Sequence, residues 1–331
     1  LNATFGNAAE IIIGCIALSK GLNDIVKASL TGSIIGNLLL VTGIAMVAGG
    51  WRREKQLFSR SAAEANSGIL ALATGAMLFP AIFHFTGERL HDLKLHEHEE
   101  KVSLATSLVL LAVYALGLLF TLRTHRHLFS RQPARSDEDK PGIAAIGRHA
   151  WSVKRSLIVL LAASVGVGIV AELLVGSAEQ MAHELHWSDV FVGVILLAII
   201  GNAAEHSTAV LLAMRDDMDT AMTITYQSSI QIALFAVPFL VLVSWLFHAT
   251  GISPDHVRPL NLIFSPMEVV AVVITVGIVV VLCMNGESNW FEGVLLLALY
   301  AILGIAFFYI PAGTEVGVQS AGPATAPSAH P

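Results

Sequence analysis

Apolar runs follow one another along most of the chain, each closed by a short polar or charged stretch. About twenty apolar residues at 1.5 Å of rise each cross a hydrocarbon layer about 30 Å thick. On that length, spanning helices are predicted near 5–20, 26–50, 66–87, 102–122, 156–178, 190–213, 220–247, 265–283 and 290–310, nine in all. The first is short because the sequence opens inside it. Residues 124–155 break the pattern: Pro133, Ser136, Asp137, Glu138, Asp139, Pro141 and Gly142 stand among basic residues, the composition of a linker. Residues 311–331, rich in Ala, Gly, Pro, Ser and Thr, are expected to form a disordered tail.

Inside the apolar runs one pentapeptide occurs twice. Gly6-Asn7-Ala8-Ala9-Glu10 returns as Gly201-Asn202-Ala203-Ala204-Glu205, so each copy sets a carboxylate where hydrocarbon is expected. A charged acid at the centre of a spanning helix costs about 2.5 to 3.5 kcal/mol on insertion scales and usually marks an ion or proton pathway. At a constant offset, without a gap, Asp24 also falls on Asp219, Ser33 on Ser228, Ile35 on Ile230 and Leu39 on Leu234. A helix-loop-helix unit has therefore been duplicated. An apolar helix near 156–178 stands ahead of the second motif and none ahead of the first, so duplication predicts at least one helix upstream of this sequence. Gly6 and Gly201, just before the acids, predict local breaks or close helix contacts.

Composition agrees. The 331 residues are 55% hydrophobic and 13% charged, and the mean hydropathy is +0.70, values outside the range of soluble domains. The fold class is all-α, a polytopic membrane protein, and nothing supports nucleic-acid binding. Cys15 and Cys283 both lie in apolar segments and read as small core residues, with no disulfide framework.

Loop charge adds orientation. Arg52, Arg53, Lys55 and Arg60 lie in 51–65, and eight further Lys and Arg lie in 123–155. Two crossings separate these segments, so both fall on one side, which the positive-inside rule makes cytoplasmic. The 88–101, 179–189 and 248–264 segments fall on the other side. Five crossings separate equivalent points of the two motifs, so the copies run antiparallel. An inverted repeat of this kind places substrate and coupling-ion sites at the repeat interface near the bilayer midplane. Glu10 and Glu205 are expected to face one another there, with 1–123 as the first repeat and 156–310 as the second.

A hard divalent cation such as calcium takes six to eight oxygen ligands, and the repeated unit offers oxygens. Asn7 shares a helix face with Glu10, as Asn202 does with Glu205; Ser33 and Asn37 come from one half, and Gln227, Ser228, Ser229 and Gln231 from the other. Two facing glutamates neutralise one divalent ion. Once the ion leaves, two carboxylates crowded together in low dielectric cannot both stay charged, so protons replace it. Metal and protons thereby compete for one site, and rocking of one bundle against the other exposes that site to each side in turn.

Other polar positions have blander readings. Ser and Gln in membrane helices often only join neighbouring helices. His206, which replaces the Ile11 of the first copy, is a proton relay or a histidine satisfied by its own neighbours. Glu172 shares a helix face with Glu179 and could line a path to the site. Glu268, just after Pro266, complements a helix N-terminus. His84, Glu88, His91, Asp92, His96, Glu97, His98, Glu99 and Glu100 match no closed zinc pattern and are expected in a solvated outer loop.

Taken together, the two GNAAE motifs, the run Val26 to Leu40 and the run Gln227 to Phe235 resemble the calcium/proton antiporters of the cation exchanger family, over nearly all of residues 1–310. The resemblance implies an orphan first helix followed by two inverted repeats of five helices, of which this sequence lacks the orphan and the first helix of repeat one. It also implies that Glu10 and Glu205 ligate calcium and accept protons, and that Ser229 and Gln231, with Ser228 beside them, line the same site. Family members from eukaryotes carry a strongly acidic regulatory segment between the repeats; here only Asp137, Glu138 and Asp139 remain of it. The expected partners are calcium, protons and a lipid bilayer, in the bacterial inner membrane, with no cofactor and no enzyme activity; self-association into a homo-oligomer is compatible with the sequence. The alternatives are an exchanger coupled to sodium or potassium or preferring manganese, and, more distantly, a passive cation channel.

Overall fold

The computed structural model describes residues 7–90, 94–124, 153–254 and 257–310. The expected linker core at 125–152, the tail at 311–331, Gly6, His91 and Asp92 lie outside these residues. In chain order the helices are α1 (Ala8–Ser19), α2 (Asn23–Gly50), α3 (Arg60–Arg89), α4 (Leu95–Leu119), α5 (Val153–Leu185), α6 (Asp189–Gly201), α7 (Ala203–Met214), α8 (Met218–Thr250), α9 (Pro266–Cys283) and α10 (Trp290–Phe308). Seven of them are long and apolar enough to cross a membrane, and the pair α6–α7, bent by 61°, makes an eighth if counted as one span. The nine predicted runs thus all appear as helix, the sixth as a broken one. A two-residue ladder, Gln56–Leu57 against Glu287–Ser288, is the sole strand pairing among the described residues.

The helix lengths fit a bilayer. Nineteen residues of α10 cover about 28 Å, and aromatic rings cluster at both of its ends. Trp51, Trp290 and Phe291 pack at the end carrying the basic 51–59 loop; Trp187, Phe191, Phe308 and Tyr309 pack at the other. Such rings prefer the membrane interface. Between these belts α3, α4, α5, α9 and α10 expose Leu72, Phe79, Leu108, Leu116, Ile169, Leu173, Val281 and Ile302, side chains that suit lipid rather than water. The chain is an integral, multi-pass membrane protein.

The enclosed centre is made by α2 and α8, the long helices of the duplicated unit. Each switches to π-helix at matching places, Gly36–Val41 in α2 and Ile232–Ala236 in α8. Single π turns inside α-helices recur at functional sites because they swing side chains off the regular phase. The hairpin turns ahead of α2 and α8 match as well. Gly21 and Asp216 sit at equivalent positions with φ of 79° and 65°, and Leu22 N and Asp217 N donate to the equivalent carbonyls of Ala17 and Leu212, both at 3.0 Å. Glycine takes left-handed backbone freely and aspartate tolerates it, so one turn geometry is built from two residue types.

The two halves hold each other across these turns. The loop after α2 lies on the turn of the second half, where Gln56 Nε2 donates to Ala213 O at 3.0 Å and Ser59 N to Asp219 Oδ1 at 2.7 Å. At the opposite end of the bundle the segment after α8 lies on the turn of the first half. There Asn23 Nδ2 donates to Arg258 O at 2.8 Å and Ser253 Oγ to Leu18 O at 3.3 Å. Inside the bundle α2 rests closely on α6: a Cβ on Gly32 would enter the Val194 backbone, and one on Gly193 would meet the Ala28 methyl.

One sequence expectation changes here. The histidine- and acid-rich stretch is helical over its described residues, and two of its members leave solvent: His84, near the end of α3, and Glu99, near the start of α4, are both 4% exposed, while Glu88, His96, Glu97 and Glu100 stay exposed as expected. His84 Nδ1 meets Glu99 Oε1 at 2.6 Å and His96 Nδ1 meets Glu99 Oε2 at 3.1 Å, contacts that pin the two helix ends together. Helix phase turns His84 and Glu99 inward where composition alone read solvent. Glu268 meets its expectation, closing a capping box with Ser265 at the start of α9.

Candidate ion-binding site

Asn7 and Asn202 stand immediately ahead of α1 and α7 with nearly the same non-helical backbone, φ −103°, ψ 31° and φ −102°, ψ 8°. The break has an electrostatic consequence. Glu10 and Glu205 fall in the first turns of helices that begin inside the protein, where the unpaired N–H groups and the helix dipole favour negative charge. A continuous helix would put the same acids at mid-helix, with no such support.

From these two helix starts the side chains cross to the opposite half. Asn202 Nδ2 donates to Ser33 Oγ at 2.9 Å, and its counterpart Asn7 meets the counterpart serine, accepting from Ser228 Oγ at 2.8 Å and donating to Ser228 O at 3.1 Å. The reciprocal pairing is a two-fold relation between the halves, read at the level of single hydrogen bonds. Around it, Asn37 Nδ2 donates to Ser228 Oγ at 3.0 Å, Asn7 Nδ2 reaches Gln231 Oε1 at 3.4 Å, and Ser228 Oγ lies 3.0 Å from Glu205 Oε2. That hydroxyl has one proton and two acceptors, Asn7 Oδ1 and Glu205 Oε2, so it serves one of them at a time.

Glu10 is the least satisfied member. It is 5% exposed, the Asn202 side chain is its neighbour and the charge of Glu205 is within reach. Its Oε1 is buried without a hydrogen-bond partner among the described residues. A buried carboxylate oxygen left without a donor is costly, and a proton or a cation supplies what is missing. Toward the 20–24 turn the seam from Glu10, lined by Ile13, Ala17, Ile25, Val26 and Leu30, leaves no room for a water molecule. On the other side Glu205 is half-buried, and from the next residue on a cleft of about 400 Å³ lies between His206, Ser207, Val210 and Leu211 of α7 and Leu40, Val41 and Ile44 of α2.

The remaining expected residues fall at graded distances from this centre. Ser229 is fully buried, but its hydroxyl donates to Thr225 O of its own helix at 2.9 Å, leaving the cross-half role to Ser228. Gln227 joins Asn66 of α3 at 3.3 Å. His206 is half-buried beside the cleft, its Nε2 enclosed without a partner among the described residues. Glu172 is exposed on α5, off the buried face formed by Ala171, Val175, Ala178 and Ala182. The sequence reading overlooked Asn66, Thr42 and Thr225. Thr42 Oγ1 lies 3.2 Å from Thr225 Oγ1 and donates to Asn37 O at 3.0 Å, bracing the π turn that aims Asn37. No signal in the sequence marks Thr42, because its partner carbonyl is released by a π turn that only the folded helix shows.

Comparison with known proteins agrees with this architecture. Residues 1–123 and 155–309 match the family described as sodium/calcium exchanger protein. A Ca(2+)/H(+) antiporter from Synechocystis sp. is 42% identical over 94% of this chain and 82% of its own length. The Ca(2+)/H(+) antiporter ChaA of Bacillus subtilis is 39% identical over 94% of this chain and 82% of its own. The solved structure of native YfkE superimposes with a TM-score of 0.75 at 36% identity, covering 94% of this chain and 83% of that one. The chain, with its duplicated motif and the asparagine of each copy bonded to a serine of the opposite half, belongs to the sodium/calcium exchanger family.

Proposed function

We propose that this protein is a secondary active antiporter that exchanges calcium for protons by alternating access. The observation that carries the reading is the carboxylate of Glu10, buried with an unpartnered oxygen and facing the charge of a second carboxylate from the opposite half. Loaded with calcium, the two acids are balanced by the ion, with Asn7, Asn202, Ser33, Asn37, Ser228 and Gln231 within the surrounding oxygen set. Without it, protons neutralise them. Either state is electrically tolerable in the bilayer; an empty, doubly charged pocket is not, and that exclusion couples the two fluxes. The similar proteins named as Ca(2+)/H(+) antiporters support the choice of calcium and protons.

Charge bias supports placing the basic 51–65 and 123–155 segments in the cytoplasm of a bacterial cell, in its inner membrane. With that orientation the shut seam faces outward and the cleft at His206 faces inward. Residues 1–123 and 156–310 are then the two inverted repeats. No cofactor is called for, because the ions themselves are the substrates, and assembly into a homo-oligomer is compatible with the lipid-facing surface.

Everted vesicles test this. With an acid interior established by respiration, added calcium should discharge the proton gradient and be taken up. Sodium, potassium and manganese under the same conditions should give smaller responses. Calcium uptake that persists after a protonophore has collapsed the gradient, and does not saturate, would favour a channel and overturn the exchange reading. In the same vesicles Ser228→Ala should raise the half-saturating calcium concentration about tenfold, the value of one hydrogen bond to a charged group. An unchanged value would remove Ser228 from the site.

A further inference from the structure

Lys27 is a cation within the spanning part of α2, and the exchange chemistry does not use it. It precedes Ser33 by six residues, about 9 Å along the helix, on the side where the seam from Glu10 is shut. Its ammonium, half-buried, donates to Asn261 Oδ1 at 2.6 Å and to Ile263 O at 2.7 Å. Both acceptors belong to the segment after α8 that lies across the first-half turn. Leu260, Leu262, Ile263 and Phe264 of that segment are buried, and Leu262 N donates to Ser103 Oγ of α4 at 3.1 Å. Asp24, Glu268 and Glu99 are the acids whose charge reaches the ammonium. At the equivalent position of the second half stands Met222. The opposite strap, the loop after α2, carries its own cation instead: Arg53 Nη2 donates to Met214 O at 3.3 Å and its Nε lies 3.3 Å from Asp216 Oδ1.

We propose that Lys27 is the latch of the gate on this face. Its charge-assisted bonds tie residues 261–263 to the first-half hairpin and keep the pocket closed there, so that opening toward this side requires their release. Asp24, one turn further out and exposed, takes over the ammonium when the strap lifts. Lys27 is a positioning residue: it sets which face is shut and does not ligate the transported ion. The inference rests on alternating access to the Glu10–Glu205 pocket, and the test below reads gate position without reading transport.

Single cysteines report the two faces, in a background where Cys15 and Cys283 are serine. Ser29→Cys probes the shut seam and Ser207→Cys the open cleft, each labelled by a membrane-impermeant maleimide from its own side of oriented vesicles. Lys27→Met should speed labelling at position 29 about tenfold, the factor for one lost charge-assisted hydrogen bond, and slow it at position 207. A merely loosened protein would speed both, which would overturn the proposal, as would unchanged rates. If Lys27→Met does not accumulate, Asn261→Ala removes the latch from the strap side and must move both rates in the same directions; failure to do so overturns it equally. Failure of calcium-driven proton release in the unsubstituted protein, with the labelling shift intact, would sink the exchange reading and leave the latch standing.

Discussion

Glu10→Gln and Glu205→Gln should each abolish calcium-driven discharge of a proton gradient while leaving the protein folded in the membrane. The argument is one of charge. A divalent ion in a low-dielectric pocket is balanced by both carboxylates, and removing one leaves a net positive charge buried. Breaking one side of a buried ion pair costs about 3 to 5 kcal/mol, more than a hundredfold in calcium affinity. The amide also cannot take the proton that must replace the metal, so the exchange loses its second substrate too. Folding should survive because glutamine has nearly the same shape, Glu10 Oε1 makes no hydrogen bond to lose, and the amide oxygen at position 205 can still accept from the Ser228 hydroxyl. Transport in everted vesicles, normalised to the amount of protein and its monodispersity in detergent, checks this. Exchange within a few fold of the parent in either variant would move the competition between metal and protons to some other site.

Gly32→Ala should fail to accumulate or melt at a much lower temperature in detergent, where Gly36→Ala, one turn on in the same helix, should be neutral. At Gly32 an added Cβ collides with the carbonyl oxygen, Cα and carbonyl carbon of Val194, backbone atoms of a helix that cannot swing aside as a side chain does. Overpacking of this kind costs about 1 to 3 kcal/mol where neighbours can relax, and here both partners are helix backbone. At Gly36 nothing lies within 4 Å of the same atom. Detergent melting curves of the two variants settle whether the α2–α6 approach is as close as described: equal melting temperatures would mean that it is not. The contact also carries functional weight, because Ser33 follows Gly32 directly and meets Asn202, and a wider α2–α6 spacing pulls that pair apart.

Much of this protein is legible along its sequence because the bilayer is a simple solvent. Hydrocarbon demands long apolar runs with every backbone group satisfied within the helix, so all nine runs appear as helix. A buried acid stands out against that background, and a constant offset between two such acids exposes the duplication. Loop charge then implies opposite orientations. None of this needs a contact between distant residues.

What needs contacts was decided by the tertiary structure. Three adjacent polar residues, Gln227, Ser228 and Ser229, are indistinguishable by composition, yet helix phase sends them to Asn66, to Asn7 and back to Thr225. The π turns that set phase in α2 and α8 leave no clear composition signal. The break at Asn202 turns a mid-helix glutamate into a first-turn one, a change the local letters Gly-Asn-Ala-Ala hinted at without specifying. Likewise the burial of His84 with Glu99 and the seating of Lys27 on Asn261 depend on which segments lie across which helix ends. Run length and charge bias are properties of a segment in its solvent and can be read locally; the partner of a given oxygen is a property of two segments together, and only their packing names it.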